Sequence, residues 1–420
     1  MTGQDLPRIV TEVPGPKSRA LAERLAAVEC PEVTWQGPPA PLFWKRGLGA
    51  NLVDVDGNRF VDLGAGFGAA VLGYAHPALA DALRAQAAEL QHAMGDVFPA
   101  EVKVQLLEAL ARALPHELGN AILSSSGSDA VESALKTALV ATGKPAVVAF
   151  EGAYHGLGLG SLDATWRDEF RRPFLARLAG QTRFVPSGDA DAARRAARAG
   201  DVGAILFEPI QGRGGLVFPP RGFVAALRAI ADEVGALLVA DEVYTGLGRT
   251  GRWLACEHEG VVPDVVALGK ALGGGFPISA CVGRAEVMRR WAPSQGEALH
   301  TSTHLGNPLG CAAALAVLHT LESDALAQRA EGVGARWLAL LGKRIGGNAR
   351  VRELRGRGLL VAVELDDPAF SRAAAARLLR AGWVVLGEGP EGRTLALTPP
   401  LNIAESLLEA AADELAEALE

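Results

Sequence analysis

Five short apolar runs, residues 146–150, 203–207, 236–240, 265–268 and 279–282, recur through the middle of this chain. Their continuous apolar character calls for cover on both faces, as strands of a largely parallel sheet have. Helical patterning fits 77–93, 100–114 and 128–141 before them, and 189–199 and 222–234 between them. Short runs alternating with helices predict an α/β domain with a largely parallel, doubly covered sheet.

After a long apolar helix near 308–321 the pattern changes. Residues 325–344 read as a helix, 352–364 as β-prone residues around Gly356 and Gly358, and helix, strand, strand and helix follow. That is a smaller α+β domain. Near the other end, residues 51–62 (NLVDVDGNRFVD) alternate around Asp56-Gly57-Asn58, as a β-hairpin does. The aspartates invite comparison with a calcium loop, but Gly57 falls at the fourth loop position where the sixth is needed, so calcium is not expected. The expected division is a hairpin-bearing segment at 1–65 that packs with the small domain, a large domain at 66–322, and a small domain at 323–420.

Composition narrows the function. Forty-one basic and 48 acidic residues leave a net charge of −7, which excludes a nucleic-acid-binding balance. The N-terminal residues hold no apolar core of signal-peptide length. The longest apolar stretches, 311–318 and 359–363, fall short of the roughly 18 residues a bilayer requires. No membrane partner and a cytoplasmic location are expected. Cys30, Cys256, Cys281 and Cys311 are scattered with no CxxC spacing, so they read as buried small residues and not as a disulfide framework or a metal site.

Three motifs compete as phosphate sites. GLGRTG at 246–251 matches GxGxxG and follows a strand, but the residues to Val261 leave no room for a crossover of roughly 10–12 residues, so a Rossmann reading fails. LGKALGGG is not a P-loop, because Ala271 stands where Ser or Thr would bind magnesium. Ser124-Ser125-Ser126-Gly127-Ser128 opens a helix. Small residues there leave backbone N–H groups aimed at one spot, which suits a phosphate; a plain serine N-cap is the alternative.

Asp241-Glu242 end one apolar run, where ligands bind in parallel sheets; an ordinary strand end meeting solvent is the alternative. Lys270 closes the next run among Gly269, Gly273, Gly274 and Gly275. Apolar and glycine neighbours favour a desolvated amine able to act as a nucleophile. The chain has seven lysines against 34 arginines, and Lys270 is the one between Lys144 and Lys343. A phosphate cradle, a carboxylate and a lysine at strand ends are what pyridoxal phosphate requires: donors for its phosphate, an anion for its ring nitrogen, and an amine for its aldehyde. Tyr154 in FEGAYHG offers a face for ring stacking.

With these residues in place the chain resembles the class-III pyridoxal-phosphate aminotransferases of fold type I. The likeness runs from about Trp44 to Leu401 through DVDGNRFVDL, SSSGSDAVESALKTA, FEGAYHG, FEPIQG, LLVADEVYTGLGRTG, PDVVALGKALGGGFP and HTSTHLGNPLGCAAALA. The resemblance implies a large domain with a mostly parallel seven-stranded sheet and a smaller α+β C-terminal domain. It implies that Lys270 holds the cofactor as a Schiff base and moves the substrate proton. Asp241 would pair with the ring nitrogen, Val243 and Tyr154 would sandwich the ring, and Gly127 and Ser128 would bind the phosphate. Glu208 and Gln211 would support Asp241 and the cofactor oxygen. Thr303 would serve the partner subunit's phosphate site, which implies a homodimer with a shared active site.

Departures from the family concern the substrate. Many members carry an arginine three residues before the C-terminal Pro-Pro to grip a carboxylate; here that position is Ala396, and Arg393 lies at an odd offset that points it to the other face. Related 4-aminobutyrate and ornithine enzymes follow EPIQG with a glutamate that pairs with that arginine; here it is Arg213. Arg213 either takes over carboxylate binding or sits solvated at the pocket rim. Tyr244 replaces a glutamine beside the phosphate and keeps one hydrogen-bond donor. Leu157 stands where arginine is frequent. Phe67 and residues 94–98 (MGDVF) are expected to line the substrate side.

The resulting expectation is transfer of an amino group from an amino acid, ω-amino acid or amine to a 2-oxo acid. A racemase or epimerase on the same scaffold is the runner-up. A cofactor-binding transcription regulator would need an appended basic helix-turn-helix, and the residues before the match hold no such pattern.

Overall fold

The computed structural model describes residues 1–35, 37 and 41–420. Three sheets organise the described residues. The first joins the antiparallel strands β1 (Trp44–Leu48), β2 (Asn51–Asp54) and β3 (Arg59–Asp62). The turn between β2 and β3 uses its aspartates as caps. Asp54 accepts from the N–H of Asp56 and of Asn58, and Asp56 accepts from the N–H of Lys17 and Ser18 at the start of helix Pro16–Ala26.

The second sheet has seven strands. In chain order they are β4 (Leu118–Ser124), β5 (Ala146–Phe150), β6 (Thr182–Val185), β7 (Val202–Phe207), β8 (Leu237–Asp241), β9 (Val265–Leu268) and β10 (Ser279–Arg284). Their spatial order is β4-β10-β9-β8-β7-β5-β6, with β10 running antiparallel to the other six. The sheet is therefore mostly parallel, and β7 and β9 are buried along their whole length.

Alternation along each strand divides the core in two. Leu206, Val239, Ala267 and Cys281 pack with Ala130, Val131, Ala134 and Ala138 of helix Gly127–Thr142. Phe207, Leu238, Val266, Leu268 and Val282 point to the opposite face and join the larger core. Helices fill both faces, which is why the central strands are apolar throughout. The edge strands β4 and β6 were not among the five apolar runs. Both are only partly buried, and β4 carries Gly119 and Asn120, so neither shows a continuous apolar signature.

The remaining strands are β11 (Val351–Arg357), β12 (Leu360–Leu365), β13 (Trp383–Val384), β14 (Leu386–Glu388) and β15 (Thr394–Leu397). Strands β11-β12-β15-β14 form the third sheet, antiparallel throughout. β13 instead pairs in parallel with β3, so a C-terminal strand completes the hairpin's sheet. Three cysteines are buried as expected, but Cys30 is exposed. It sits just beyond helix Pro16–Ala26, with no core at that point to enclose it. Among the described residues no group of side chains suits a metal ion, and no single helix is long and apolar enough to cross a membrane.

Candidate active site

Five strands that run in one direction, four of them adjacent and β4 set apart by β10, deliver their carboxyl ends to one side of the large sheet. β4 leads into Ser124–Ser128, β5 into Tyr154, β7 into Glu208, β8 ends on Asp241, and Lys270 follows β9 after Gly269. These segments line a cavity of about 350 Å³ whose walls include Gly127, Ser128, Tyr154, Asp241, Val243 and Lys270. A second cavity of about 220 Å³ shares Tyr154, Glu208, Tyr244 and Lys270, and adds Phe67, Gly212, Arg213 and Glu388.

The helix at the cavity starts with a reciprocal cap. Ser126 Oγ accepts from the Asp129 N–H at 3.2 Å, and Asp129 Oδ2 accepts from the Ser126 N–H at 3.1 Å. The N–H groups of Gly127 and Ser128, in the first turn, have no intrahelical acceptor. Gly127 is the residue that permits close approach: a Cβ there would lie 2.8 Å from Val243 Cγ1. Ser128 Oγ lies 2.7 Å from Ser161 Oγ and accepts from the Gly158 N–H at 3.0 Å.

Asp241 is buried. Its Oδ2 lies 2.8 Å from His155 Nδ1, and its Oδ1 accepts from the Val243 N–H at 3.1 Å. His155 is the chief residue that sequence reasoning missed. It stands beside Tyr154 in FEGAYHG, but nothing local signals a partner 86 residues away. Glu242 points the other way and is spent on the fold, accepting from the Cys256 N–H at 2.9 Å.

Glu208 is fixed by two backbone donors, the N–H of Tyr154 at 2.9 Å and of Gly212 at 2.8 Å. Burial first, and the Asp241 charge after it, push its carboxyl up to about 7, against the pull of His155 and the two N–H groups. Gln211 behaves differently. Its Nε2 donates to the Glu151 carbonyl at 2.8 Å, and it lines neither cavity.

Lys270 Nζ sits 4.3 Å from the centre of the Tyr244 ring. Burial pushes its amine down, while Asp241, Glu208 and Glu388 oppose that and Arg213 adds to it. A lysine with reduced proton affinity is the form that attacks a carbonyl. The Tyr244 ring fits because Gly68 and Gly212 lie against it: a Cβ on them would come within 2.9 and 2.5 Å of ring atoms. Its hydroxyl lies 3.4 Å from Thr398 Oγ1 and is not turned to the helix start. The expected donor beside the phosphate is thus directed to the C-terminal region. Leu157 lines the cofactor cavity as an exposed apolar side chain.

Arg213 lines the second cavity. Its guanidinium carbon lies 5.1 Å from the Tyr154 ring centre and 5.8 Å from that of Phe170, while Nε lies 4.0 Å from Glu388 Oε2. Glu388 is the second residue missed from sequence; the cation gained at 213 was the one clue that an acid should face it. Ala396 is fully buried against Ile210, Leu216, Leu360 and Ala362, in apolar surroundings. Arg393 faces away, bonded to Glu391 and to the Asp366 carbonyl. Phe67 stands half exposed at the mouth, with φ of +61° between left-handed Gly66 and Gly68. Asp62 holds this turn by accepting from the N–H of Gly64 and Gly66 at 2.7 and 2.9 Å.

Residues 94–98 line neither cavity, and nor does Thr303. The structure instead brings their two segments together at an exposed surface, where Thr301 Oγ1 donates to Asp96 Oδ2 at 2.9 Å.

The donor set fits pyridoxal phosphate. A glycine-floored helix start, a buried carboxylate, an aromatic face and a desolvated lysine converge on one space. Comparison with known proteins points the same way. The family model described as aminotransferase class-III matches residues 34–419. An acetylornithine aminotransferase of Methanopyrus kandleri is 40% identical over 379 residues, covering 90% of this chain and 94% of that one. A 4-aminobutyrate aminotransferase of Mycobacterium leprae is 36% identical, with 98% of each chain covered. The ornithine aminotransferase structure of Toxoplasma gondii, described with pyridoxal phosphate partly occupying its active site, matches with a TM-score of 0.88 at 30% identity, over 96% of this chain and 94% of that one.

Proposed function

The chain belongs to the class-III aminotransferases, and from that premise we propose that Lys270 carries the cofactor while Arg213 receives a substrate carboxylate. The reaction is pyridoxal-phosphate-dependent transfer of an amino group to a 2-oxo acid. The racemase alternative draws no support from these relatives.

When bound, pyridoxal phosphate supplies an electron sink for the carbon that bears the amino group. Gly127 and Ser128 would hold the phosphate through their N–H groups, and Val243 and Tyr154 would cover the ring. Asp241, oriented by His155, would keep the ring nitrogen protonated. Lys270 Nζ would move the proton at the amino-bearing carbon. Glu208 fixes the backbone of Tyr154 and Gly212 and so sets the wall between the two cavities.

One observation carries the substrate assignment: Lys270 lines both cavities, and Arg213 lies in the smaller. A donor whose amine reaches Lys270 therefore places its far end where a guanidinium waits. Acetylornithine and 4-aminobutyrate, named for the relatives, each hold an amino group remote from a carboxylate. An ω-amino acid of that kind is the donor class proposed here.

The same reading includes a homodimer. Thr303 and residues 94–98 share an exposed surface, and a second copy seated there would bring Thr303 to the partner's phosphate site. The division at residues 65 and 322 belongs to this reading too, supported by the three separate sheets, as does a cytoplasmic location among free amino and oxo acids.

The test is Arg213→Ala. For 4-aminobutyrate, kcat/KM falls by about 100-fold, the worth of a charge-assisted bidentate contact of roughly 2–3 kcal/mol. For butylamine it changes by less than about threefold. Equal losses for both donors contradict the assignment.

A further inference from the structure

The second cavity contains an acid as well as a base. Glu388, the last residue of β14, is 5% exposed at its side chain and lines the cavity opposite Arg213. The 4.0 Å between Arg213 Nε and Glu388 Oε2 is an ion pair at its outer limit and not a hydrogen bond. Both atoms are buried and have no hydrogen-bond partner among the described residues. Two opposite charges thus share one cavity wall as a loose ion pair, and no hydrogen bond joins them.

We propose that Glu388 is a specificity-determining residue, holding Arg213 when the substrate's far end is uncharged and releasing it when a carboxylate arrives. This rests on the reading of Arg213 as the carboxylate site. With an uncharged end in place, the guanidinium keeps Glu388 as counter-charge, which offsets part of the cost of burying both groups. A carboxylate end competes for the same guanidinium and leaves Glu388 as a second buried anion beside it. That anion then takes a proton from solvent.

The groups around Glu388 agree with this. Burial pushes its carboxyl up, and Arg213, Arg167 and Lys270 hold it down. Tyr154 and Tyr244 also feel its charge, and Glu208 lines the same cavity. Engaging Arg213 elsewhere weakens the nearest opposing charge, so carboxylate binding raises the proton affinity of Glu388 further. Binding coupled to proton uptake weakens as pH rises, by up to about tenfold per unit within the window. In the register of β14 and β15, Glu388 pairs with Thr394, and the family's arginine position, the apolar Ala396, pairs with Leu386.

Glutarate, which has two carboxylates and no amine, is the probe. Its binding to the holoenzyme is followed by calorimetry at pH 6 and pH 8, in two buffers of different ionisation enthalpy. The expected result is uptake of a substantial fraction of one proton per glutarate, with Kd at least about threefold weaker at pH 8. Glu388→Gln binds glutarate at least about threefold more tightly than the wild type at pH 8 and takes up a smaller fraction of a proton, what remains falling to Glu208 in the same cavity; uptake equal to the wild type's overturns the role of Glu388. Arg213→Ala binds it at least about tenfold more weakly. If Arg213→Ala binds glutarate as the wild type does, the carboxylate-site reading fails. If Arg213→Ala loses binding but the wild type takes up no proton, the role of Glu388 alone is overturned. The wild-type measurement needs no variant, so a Glu388→Gln protein that folds poorly leaves the outcome decidable.

Discussion

His155 Nδ1 lies 2.8 Å from Asp241 Oδ2, and both side chains are buried at the floor of the cofactor cavity. The pair links two strand ends, the loop after β5 and the tip of β8. Among the described residues Asp241 accepts from one other donor, the Val243 N–H. His155→Ala would leave that buried carboxylate with a single hydrogen bond and free to turn. Affinity for pyridoxal phosphate should weaken by about 10- to 100-fold, the worth of one hydrogen bond to a charged group. Equilibrium dialysis of the cofactor checks this; unchanged affinity would remove His155 from the site.

Gly127 separates cofactor binding from folding. An alanine Cβ would lie 2.8 and 3.1 Å from the two Val243 methyl carbons and drive that side chain towards the cavity. Gly127 opens its helix without a positive φ, so alanine adds no backbone strain there. Gly127→Ala should therefore weaken cofactor binding by about tenfold or more, while the apoprotein Tm stays level or rises. A fall in Tm with unchanged affinity would show the contact to be structural only.

Glu208 predicts a pH signature in stability. Its carboxyl is pushed up to about 7 in the fold, from an ordinary value near 4.5. Below about pH 4.5 the group is protonated whether the chain is folded or not. Between about 4.5 and 7 the folded state binds the extra proton, so stability falls as pH rises through that window. The loss is of order 1–3 kcal/mol. Glu208→Gln carries a fixed cost for turning an NH2 to one of two backbone donors, but lacks this slope. Unfolding of the apoprotein in urea at pH 5 and pH 7.5 should show the variant's deficit shrinking with pH. A constant deficit would contradict the buried-acid account.

The sequence made the centre of the sheet legible and its margins obscure. Runs 146–150 and 265–268 coincide with β5 and β9, because strands covered on both faces must be apolar throughout. β4 and β6 escaped because edge strands are half covered and carry polar residues. At the site, residues next to strand ends were found from their neighbours: Asp241 from its apolar run, Lys270 from its glycines. His155 and Glu388 depend on contacts across 86 and 175 positions of chain, which no local pattern encodes. Gln211 and Tyr244 show the converse. Gln211 follows the family and Tyr244 departs from it, yet neither place in the sequence shows that Gln211 is taken up by the Glu151 carbonyl or that the Tyr244 hydroxyl lies beside Thr398.

The central claim is that one lysine of seven carries the cofactor. Lys270 lies in the cavity with a weakened hold on its proton, and none of Lys17, Lys45, Lys103, Lys136, Lys144 and Lys343 lines that space. Borohydride reduction of the holoenzyme, proteolysis and mass spectrometry locate the cofactor directly. The account predicts a phosphopyridoxyl group on the peptide containing Lys270 and on no other. The label on any other lysine would contradict it.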